Sequence, residues 1–175
     1  GRLKYLFMCS RCHGEFGQGQ TGPAIINKDF LSVAPDELLY NSVAFGRDHS
    51  AMLGWSTDVY NAERLTVTDI GNIIAFMRRT AGEQPAYIYA GTNPGDVTPG
   101  EKLYKQHCAE CHGMHGEGEQ APALNNQELL NAATNGYLLA TITVGREATD
   151  MPAWGGASGD YPELTGRQRQ DIVAW

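Results

Sequence analysis

The pentapeptide Cys9-Ser10-Arg11-Cys12-His13 recurs as Cys108-Ala109-Glu110-Cys111-His112, and this duplication constrains the chain more than any other feature. The two copies use all four cysteines of the 175 residues. Two cysteines separated by two residues and followed by histidine form the attachment pattern of a covalently bound c-type haem. Each thiol can add to one haem vinyl group, and the histidine then supplies an axial ligand to the iron. The sequence therefore predicts two haem c groups, attached at Cys9, Cys12, Cys108 and Cys111 and ligated by His13 and His112.

The similarity of the two halves extends far beyond the pentapeptide. The first cysteines of the two copies lie 99 residues apart (108 − 9), and this offset holds along the whole chain without insertion or deletion. It relates Tyr5 to Tyr104, Gly14 to Gly113, Pro23 to Pro122, Arg47 to Arg146, Met52 to Met151 and Trp55 to Trp154. The pattern predicts two copies of one small domain, at residues 1–79 and 100–175, joined by a Gly/Pro-rich linker at residues 80–99. Units of this size rarely bury enough apolar surface to be stable alone, and a haem attached by two thioether bonds would stabilise each one.

Composition and charge exclude several classes of partner. The chain has 20 acidic and 13 basic side chains, which gives a formal charge of −7. This balance argues against binding to nucleic acid and to anionic lipid. No run of about 18 apolar residues is present, so these residues predict no transmembrane helix. A membrane tether would require a segment outside this sequence.

The ends of the chain predict that it is part of a longer polypeptide. It opens at Gly1 without an initiator methionine, so we expect a preceding segment. Trp175 aligns with Phe76, after which the first repeat continues its helix. We therefore expect the last helix of the second repeat to continue past Trp175.

Helical patterns recur in both repeats, and no strand pattern is convincing, so the predicted fold class is all-α. Short helices at 2–8 and 101–107 lead into the haem motifs. Middle helices follow, one with Pro35 predicted at its first position and the other from about Thr134 to Val144. Capping boxes at 66–69 and 165–168 open the last helices. In the first of these, Ile70, Ile73, Ile74 and Met77 form one apolar stripe.

Met52 and Met151 are the candidates for the second axial ligand of each iron. Each lies 39 residues after its histidine and three residues before a tryptophan. Histidine–methionine ligation raises the reduction potential of a haem relative to harder ligands. A single methionine at a loop edge could instead fill a gap in the core, but two at one repeat position favour ligation. His49, three residues before Met52, is an alternative ligand without a counterpart in the second repeat.

Two other interpretations of the cysteines remain open at this stage. They could form a four-cysteine zinc site or two redox-active disulfides. Zinc would need neither the histidine after each pair nor the later methionine. A thioredoxin-like site would need a βαβ context, which the sequence does not predict.

Each half resembles a class I cytochrome c in its C-x-x-C-H-G motif, its G-x-G loop, its proline and its later G-R and M-x-x-W sequences. The whole chain is similar to a diheme cytochrome c built from two such domains. Similar pairs occur as soluble electron carriers and in the haem subunit of cbb-type oxidases. The resemblance covers nearly everything except the linker.

The resemblance implies roles for the matched residues. The carbonyl oxygens of Pro23 and Pro122 would accept the Nδ1 proton of the proximal histidines. Arg47 and Arg146 would meet haem propionates, with a solvated arginine as the alternative. Trp55 and Trp154 would line the haem edge. Because Pro152 follows Met151 whereas Leu53 follows Met52, we also expect the first methionine loop to be softer and the two haem potentials to differ.

The implied function is electron transfer, not catalysis. The expected partners are a redox donor and acceptor, with the chain working alone or as a subunit of a membrane respiratory complex. Attachment of haem c outside the bacterial cytoplasm implies a location in the periplasm or on the outer face of the cytoplasmic membrane. The alternatives are a diheme peroxidase, a thiosulfate-oxidising enzyme or a ligand-sensing haem module, each of which would need a labile or open iron site.

Overall fold

The computed structural model describes residues 1–47, 50–56, 64–82, 94–146 and 149–175. These residues form α-helices and loops, which confirms the predicted all-α class. Within them there is no strand, and the extended pairing consists of two isolated antiparallel bridges, Gly46 with Leu53 and Ser158 with Tyr161.

Ten helices are found in the described residues, five in each repeat. The first repeat contains α1 (Arg2–Met8), α2 (Ser10–His13), α3 (Lys28–Val33), α4 (Asp36–Phe45) and α5 (Val67–Ala81). The second contains α6 (Val97–His107), α7 (Ala109–His112), α8 (Gln127–Ala132), α9 (Asn135–Val144) and α10 (Gly166–Ala174). The helices α7 to α10 each begin 99 residues after α2 to α5 (109 − 10, 127 − 28, 135 − 36, 166 − 67). The offset read from the sequence is thus also the offset between equivalent helices.

Several helix boundaries differ from those predicted. Pro35 is the N-cap of α4 and not its first residue. The helix α5 runs on to Ala81, and α6 begins at Val97, where the side chain of Asp96 accepts a hydrogen bond from the Thr98 N–H. Both helices therefore extend into the predicted linker.

The short helices α3 and α8 were not predicted. Asparagine caps each of them, because Asn27 accepts a hydrogen bond from the Phe30 N–H and Asn126 accepts one from the Leu129 N–H. Each helix has only six residues, which is too short for a periodic apolar pattern to stand out.

The last helix of each repeat is fixed by its cap and by the helix that precedes the cysteines. The predicted capping boxes at Thr66 and Thr165 are both present, which confirms this part of the sequence analysis. The helix α5 packs against α1, and α10 packs against α6. The approach is close, since a Cβ atom at Gly100 would collide with the backbone oxygen of Asp171. The predicted apolar stripe of α5 is buried, with Ile70, Ile73, Ile74 and Met77 at most 5% exposed.

The two repeats contact each other through their middle helices. The helix α3 packs against α9, and α4 packs against α8. The helices α8 and α9 are the counterparts of α3 and α4. Each repeat therefore presents the same two helices to the other, as in a two-fold symmetric dimer of identical subunits. Tyr137 and Ala140 of α9 belong to the same apolar cluster as the core of the first repeat.

Among the described residues, no helix has the length and apolar character needed to cross a membrane.

Candidate haem-binding sites

Each pentapeptide lies where one helix ends and a single helical turn follows. Cys9 ends α1 and caps α2, and Cys108 does the same between α6 and α7. Both cysteines have right-handed helical backbone angles, so the chain stays nearly helical through the motif. The two thiols of a pair, three positions apart, are therefore about one turn from each other.

Both motif histidines contact a proline carbonyl group. His13 Nδ1 lies 2.8 Å from Pro23 O, and His112 Nδ1 lies 2.9 Å from Pro122 O. A carbonyl oxygen can only accept, so Nδ1 carries the proton in this contact and Nε2 keeps its lone pair. The ring is thus oriented as a metal ligand requires. His13 is only 7% exposed, which further restricts its movement.

A buried tyrosine joins the first helix of each repeat to the glycine after the histidine. Tyr5 donates a 2.8 Å hydrogen bond to Gly14 O, and Tyr104 donates one of the same length to Gly113 O. Both glycines have positive φ angles, 84° and 86°, which favour glycine at this turn. Burial raises the pKa of both tyrosines to about 12. This role of the tyrosines was not predicted, although both lie four residues before the first cysteine of their motif and the equal spacing could have signalled it.

The first cysteine of each motif has similar surroundings in the two repeats. All four are free thiols. Burial, with a smaller effect of the neighbouring cysteine, raises the pKa of Cys9 and Cys108 to about 11. A redox-active thiol needs a lowered pKa, so these values speak against a disulfide exchange site. In the part of the chain that the structure describes, no three His, Cys, Asp or Glu side chains cluster as a metal site.

The two candidate methionines lie on loops with the same hydrogen bonds. The Arg47 N–H donates to Met52 O at 2.6 Å, and the Arg146 N–H donates to Met151 O at 3.1 Å. The methionine N–H groups donate to Ser50 Oγ and Thr149 Oγ1 respectively. Both methionines are partly buried. The loops are therefore built alike in the two repeats, and the alternative ligand His49 lies outside the described residues.

The tryptophans join the methionine loops to the middle helices α4 and α9 through backbone hydrogen bonds. The backbone N–H of Trp55 donates to Val43 O and the backbone N–H of Trp154 donates to Ile142 O, both at 3.0 Å. Trp154 is buried and Trp55 is partly buried. Both indole rings therefore belong to the packed interior around the candidate sites.

The two arginines lie near the contact between the repeats, which sequence analysis did not predict. Arg47 Nη2 donates to Ser42 Oγ at 2.7 Å. Burial lowers the pKa of Arg47, while Tyr137 and Glu128 of the second repeat act in the opposite direction. Arg146 Nη2 donates to Tyr137 Oη at 3.0 Å, and its guanidinium lies 4.2 Å from the centre of the Phe30 ring in the first repeat.

The residues present fit a covalently bound haem c in each repeat. Each site offers a pair of free thiols, a histidine with Nε2 available and a partly buried methionine on a matching loop. An arginine beside each loop can provide positive charge for acidic groups of the cofactor.

Comparison with known proteins supports this assignment. The family described as cytochrome c oxidase, cbb3-type, subunit III matches residues 95–175. The chain is 26% identical to the cbb3-type cytochrome c oxidase subunit CcoP of Rhodobacter capsulatus, over all of this chain and 60% of the relative. It is 29% identical to subunit FixP of Bradyrhizobium diazoefficiens, over 85% of this chain and 51% of the relative. The chain thus spans between half and three-fifths of the length of these relatives.

A likeness in fold extends to a solved structure. A chain of the Kuenenia stuttgartiensis reducing HAO-like protein complex Kustc0457/Kustc0458 matches with a TM-score of 0.53 and 19% identity. The match covers 99% of this chain and 92% of the other. At this identity it shows the shared fold alone.

Both of these relatives are subunits of a cbb3-type cytochrome c oxidase. Together with the two attachment motifs and the hydrogen bonds of their histidines, these matches support the assignment of the chain as a c-type cytochrome that binds haem c covalently.

Proposed function

We propose that the chain binds two haem c groups, one in each of two tandem domains at residues 1–79 and 100–175, and relays single electrons between a donor and an acceptor. The observation that carries this proposal is that each repeat holds its own C-x-x-C-H motif with the histidine Nδ1 on a proline carbonyl group. A c-type cytochrome with one haem would need only one such arrangement. The matching helix positions in the two repeats support the same division into domains.

The proposed ligands are His13 and Met52 in the first domain and His112 and Met151 in the second. A bound haem c supplies a one-electron couple at its iron. The cysteines hold the group covalently, and the proline carbonyl groups keep the histidine rings from turning. The methionine loops are fixed by backbone hydrogen bonds from Arg47 and Arg146. Met52 and Met151 would each offer a thioether as the second protein ligand of the bound group.

The arginines and tryptophans shape the surroundings of each group. Arg47 and Arg146 supply positive charge for the propionates, and Trp55 and Trp154 keep water from the haem edge. Because both arginines also lie beside the contact between α3–α4 and α8–α9, the two sites share one packed interface. This arrangement supports electron transfer between the domains within one chain.

The oxidase relatives support a role in a respiratory complex. We propose that the chain works in the periplasm or on the outer face of the cytoplasmic membrane, as part of a membrane complex or beside one. Its partners would be redox proteins and not nucleic acid, in keeping with its charge of −7.

Haem stoichiometry tests the proposal directly. The wild-type protein should give two haem c per chain in a pyridine haemochrome assay, and its ferric spectrum should show a methionine-to-iron charge-transfer band of matching intensity. Replacing Cys9 and Cys12 by serine should remove one haem, and the matched replacement of Cys108 and Cys111 should remove the other. One haem in the wild-type chain, or rapid binding of carbon monoxide to either iron, would contradict the relay and favour an enzyme or a sensor.

A further inference from the structure

The outer face of α1 carries large apolar side chains in full contact with solvent. Leu3 is 79% exposed and Phe7 is 86% exposed. They lie four positions apart on one helix and therefore on the same side. Phe16, on the loop after His13, is a further exposed aromatic side chain at 68%. Scattered exposed leucines are ordinary, but exposed aromatic side chains on both sides of one cysteine motif are not.

The second repeat provides an internal control for this surface. The positions that correspond to Leu3, Phe7 and Phe16 hold the polar residues Lys102, Gln106 and His115. The equivalent helix and loop of the second repeat thus fold with polar side chains at these three positions. The apolar side chains of the first repeat are therefore not required by the fold.

Charge is inverted on the same face. Arg2 and Arg11 lie beside the apolar residues, whereas the corresponding positions of the second repeat hold Glu101 and Glu110. Arg2 and Arg11 make no ion pair within the part of the chain that the structure describes. Residues 1–79 contain eight basic and eight acidic side chains, whereas residues 100–175 contain five and ten. The face of α1 is thus a basic, apolar surface on the neutral half of an acidic chain.

This face adjoins the attachment point of the first haem. Arg11 lies between the two cysteines, and Phe7 lies two residues before Cys9. The thiol of the second cysteine, Cys12, belongs to an exposed residue. A thioether bond at that sulfur would attach the first haem at this part of the surface. A protein seated on the face would therefore lie beside the entry point for electrons.

We propose that Arg2, Leu3, Phe7, Arg11 and Phe16, named here the α1 face, form the docking surface for a redox partner with carboxylates around an apolar centre. The proposal rests on the proposed electron-relay function and names the chemistry of one partner. Apolar contact supplies binding energy, and the arginines guide encounter with an acidic surface. The corresponding face of the second repeat, with its two glutamates, is unsuited to the same partner.

Two other occupants are less favoured. A second copy of the chain could place its acidic face on the α1 face, but this head-to-tail contact does not close on itself and would produce open polymers. Copies with a charge of −7 also repel each other. An anionic membrane is disfavoured by the same overall charge.

The test uses an oxidised flavodoxin as an acidic probe, with binding to the diheme protein measured by titration calorimetry at low and high salt. Phe7→Gln should weaken binding about tenfold, as expected for an aromatic residue central to an interface. Phe45→Gln makes the same change at a phenylalanine that is 61% exposed on α4, and it should leave binding unchanged. Arg11→Glu should weaken binding and reduce its dependence on salt.

A gain-of-function variant makes the test stricter. Combining Gln106→Phe with Glu110→Arg copies two residues of the α1 face onto the second repeat, and it should add a second probe site per chain. Calorimetry measures binding whether or not an electron is transferred, so it tests the docking proposal alone. Haem content measured on the same samples tests the relay proposal, and the two can therefore fail independently.

Three results would overturn the proposal. The first is no saturable binding of the probe to the wild-type protein, or equal effects of Phe7→Gln and Phe45→Gln. The second is self-association of the wild-type chain in sedimentation experiments that Phe7→Gln abolishes, which would assign the face to a second copy. The third is co-sedimentation with phosphatidylglycerol vesicles that depends on Phe7, which would assign it to a membrane.

Discussion

The two repeats share a backbone but differ in how their side chains meet each other and the solvent. Equivalent helices, proline carbonyl contacts and tyrosine hydrogen bonds occur in both. The arginines, however, have different partners: Arg47 binds Ser42 within its own repeat, whereas Arg146 binds Tyr137 and also lies over Phe30 of the other. The comparison shows that groups which would hold the cofactor are the same, while groups at the interface and on the surface are free to differ. This combination of equal sites and unequal surroundings is what the proposed relay requires of its two ends.

The largest expected effect comes from the proposed methionine ligands. Replacing Met52 or Met151 by histidine should lower the potential of one haem by on the order of 0.1 V or more, within the about 0.8 V range that axial ligands span. A redox titration of the wild-type protein should show two waves, and each substitution should move a different one. Met114→His, at a half-exposed methionine near His112, is the control and should move neither. A single unsplit wave in the wild-type protein would disprove the expected difference between the haems.

Arg146 of the second repeat contacts the Phe30 ring of the first repeat, and this cation–π contact can be tested by substitution. Phe30→Leu, which installs the residue type of the equivalent Leu129, should cost about 1 kcal/mol of unfolding free energy because it removes a cation–π contact. A double-mutant cycle with Arg146→Gln should give a coupling of about 0.5–2 kcal/mol in denaturant unfolding. Phe45→Leu changes an exposed phenylalanine and should have little effect. Zero coupling would mean that the guanidinium does not interact with the ring in solution.

Ser42 and Thr141 occupy equivalent positions but have different hydrogen bonds. Ser42 Oγ accepts a hydrogen bond from Arg47 and donates one to Leu38 O. The buried Thr141 Oγ1 has no partner among the described residues. Ser42→Ala should therefore destabilise the protein by about 1 kcal/mol, whereas Thr141→Val should stabilise it by about 1 kcal/mol. Chemical denaturation checks both, and destabilisation by Thr141→Val would show that this hydroxyl has a partner.

The smallest expected effect concerns pH and the two capping boxes. Backbone and side-chain hydrogen bonds from Thr66, together with Lys4, lower the pKa of Asp69 from its ordinary 3.8 to about 2. A lowered folded-state pKa means that this contribution to stability is present above pH 4 and is lost as the pH falls towards 2. Asp69→Asn should thus destabilise the protein at neutral pH but have little effect near pH 2. Gln168, the equivalent residue, does not titrate, and Gln168→Ala should have an effect independent of pH in the same denaturation series.

The sequence by itself determined the duplication and most helices of the fold, and it predicted the attachment residues. A covalent motif of fixed spacing is local chemistry, so it can be recognised without tertiary structure. The capping boxes and the stripe from Ile70 to Met77 are also local, since a helix repeats every 3.6 residues. The capping boxes and the apolar stripe were confirmed because each depends on residues within a few turns of one another.

Only the tertiary structure decided how the two repeats meet. The helices α3 and α8 were missed because six residues carry little periodic signal, yet they form half of the interface. The contact of Arg146 with the Phe30 ring joins residues that lie more than 100 positions apart along the chain. The α1 face likewise required knowledge of exposure, because an apolar residue on a short helix can point inward or outward. Burial and pairing across the interface are properties of the packed molecule, and no local pattern encodes them.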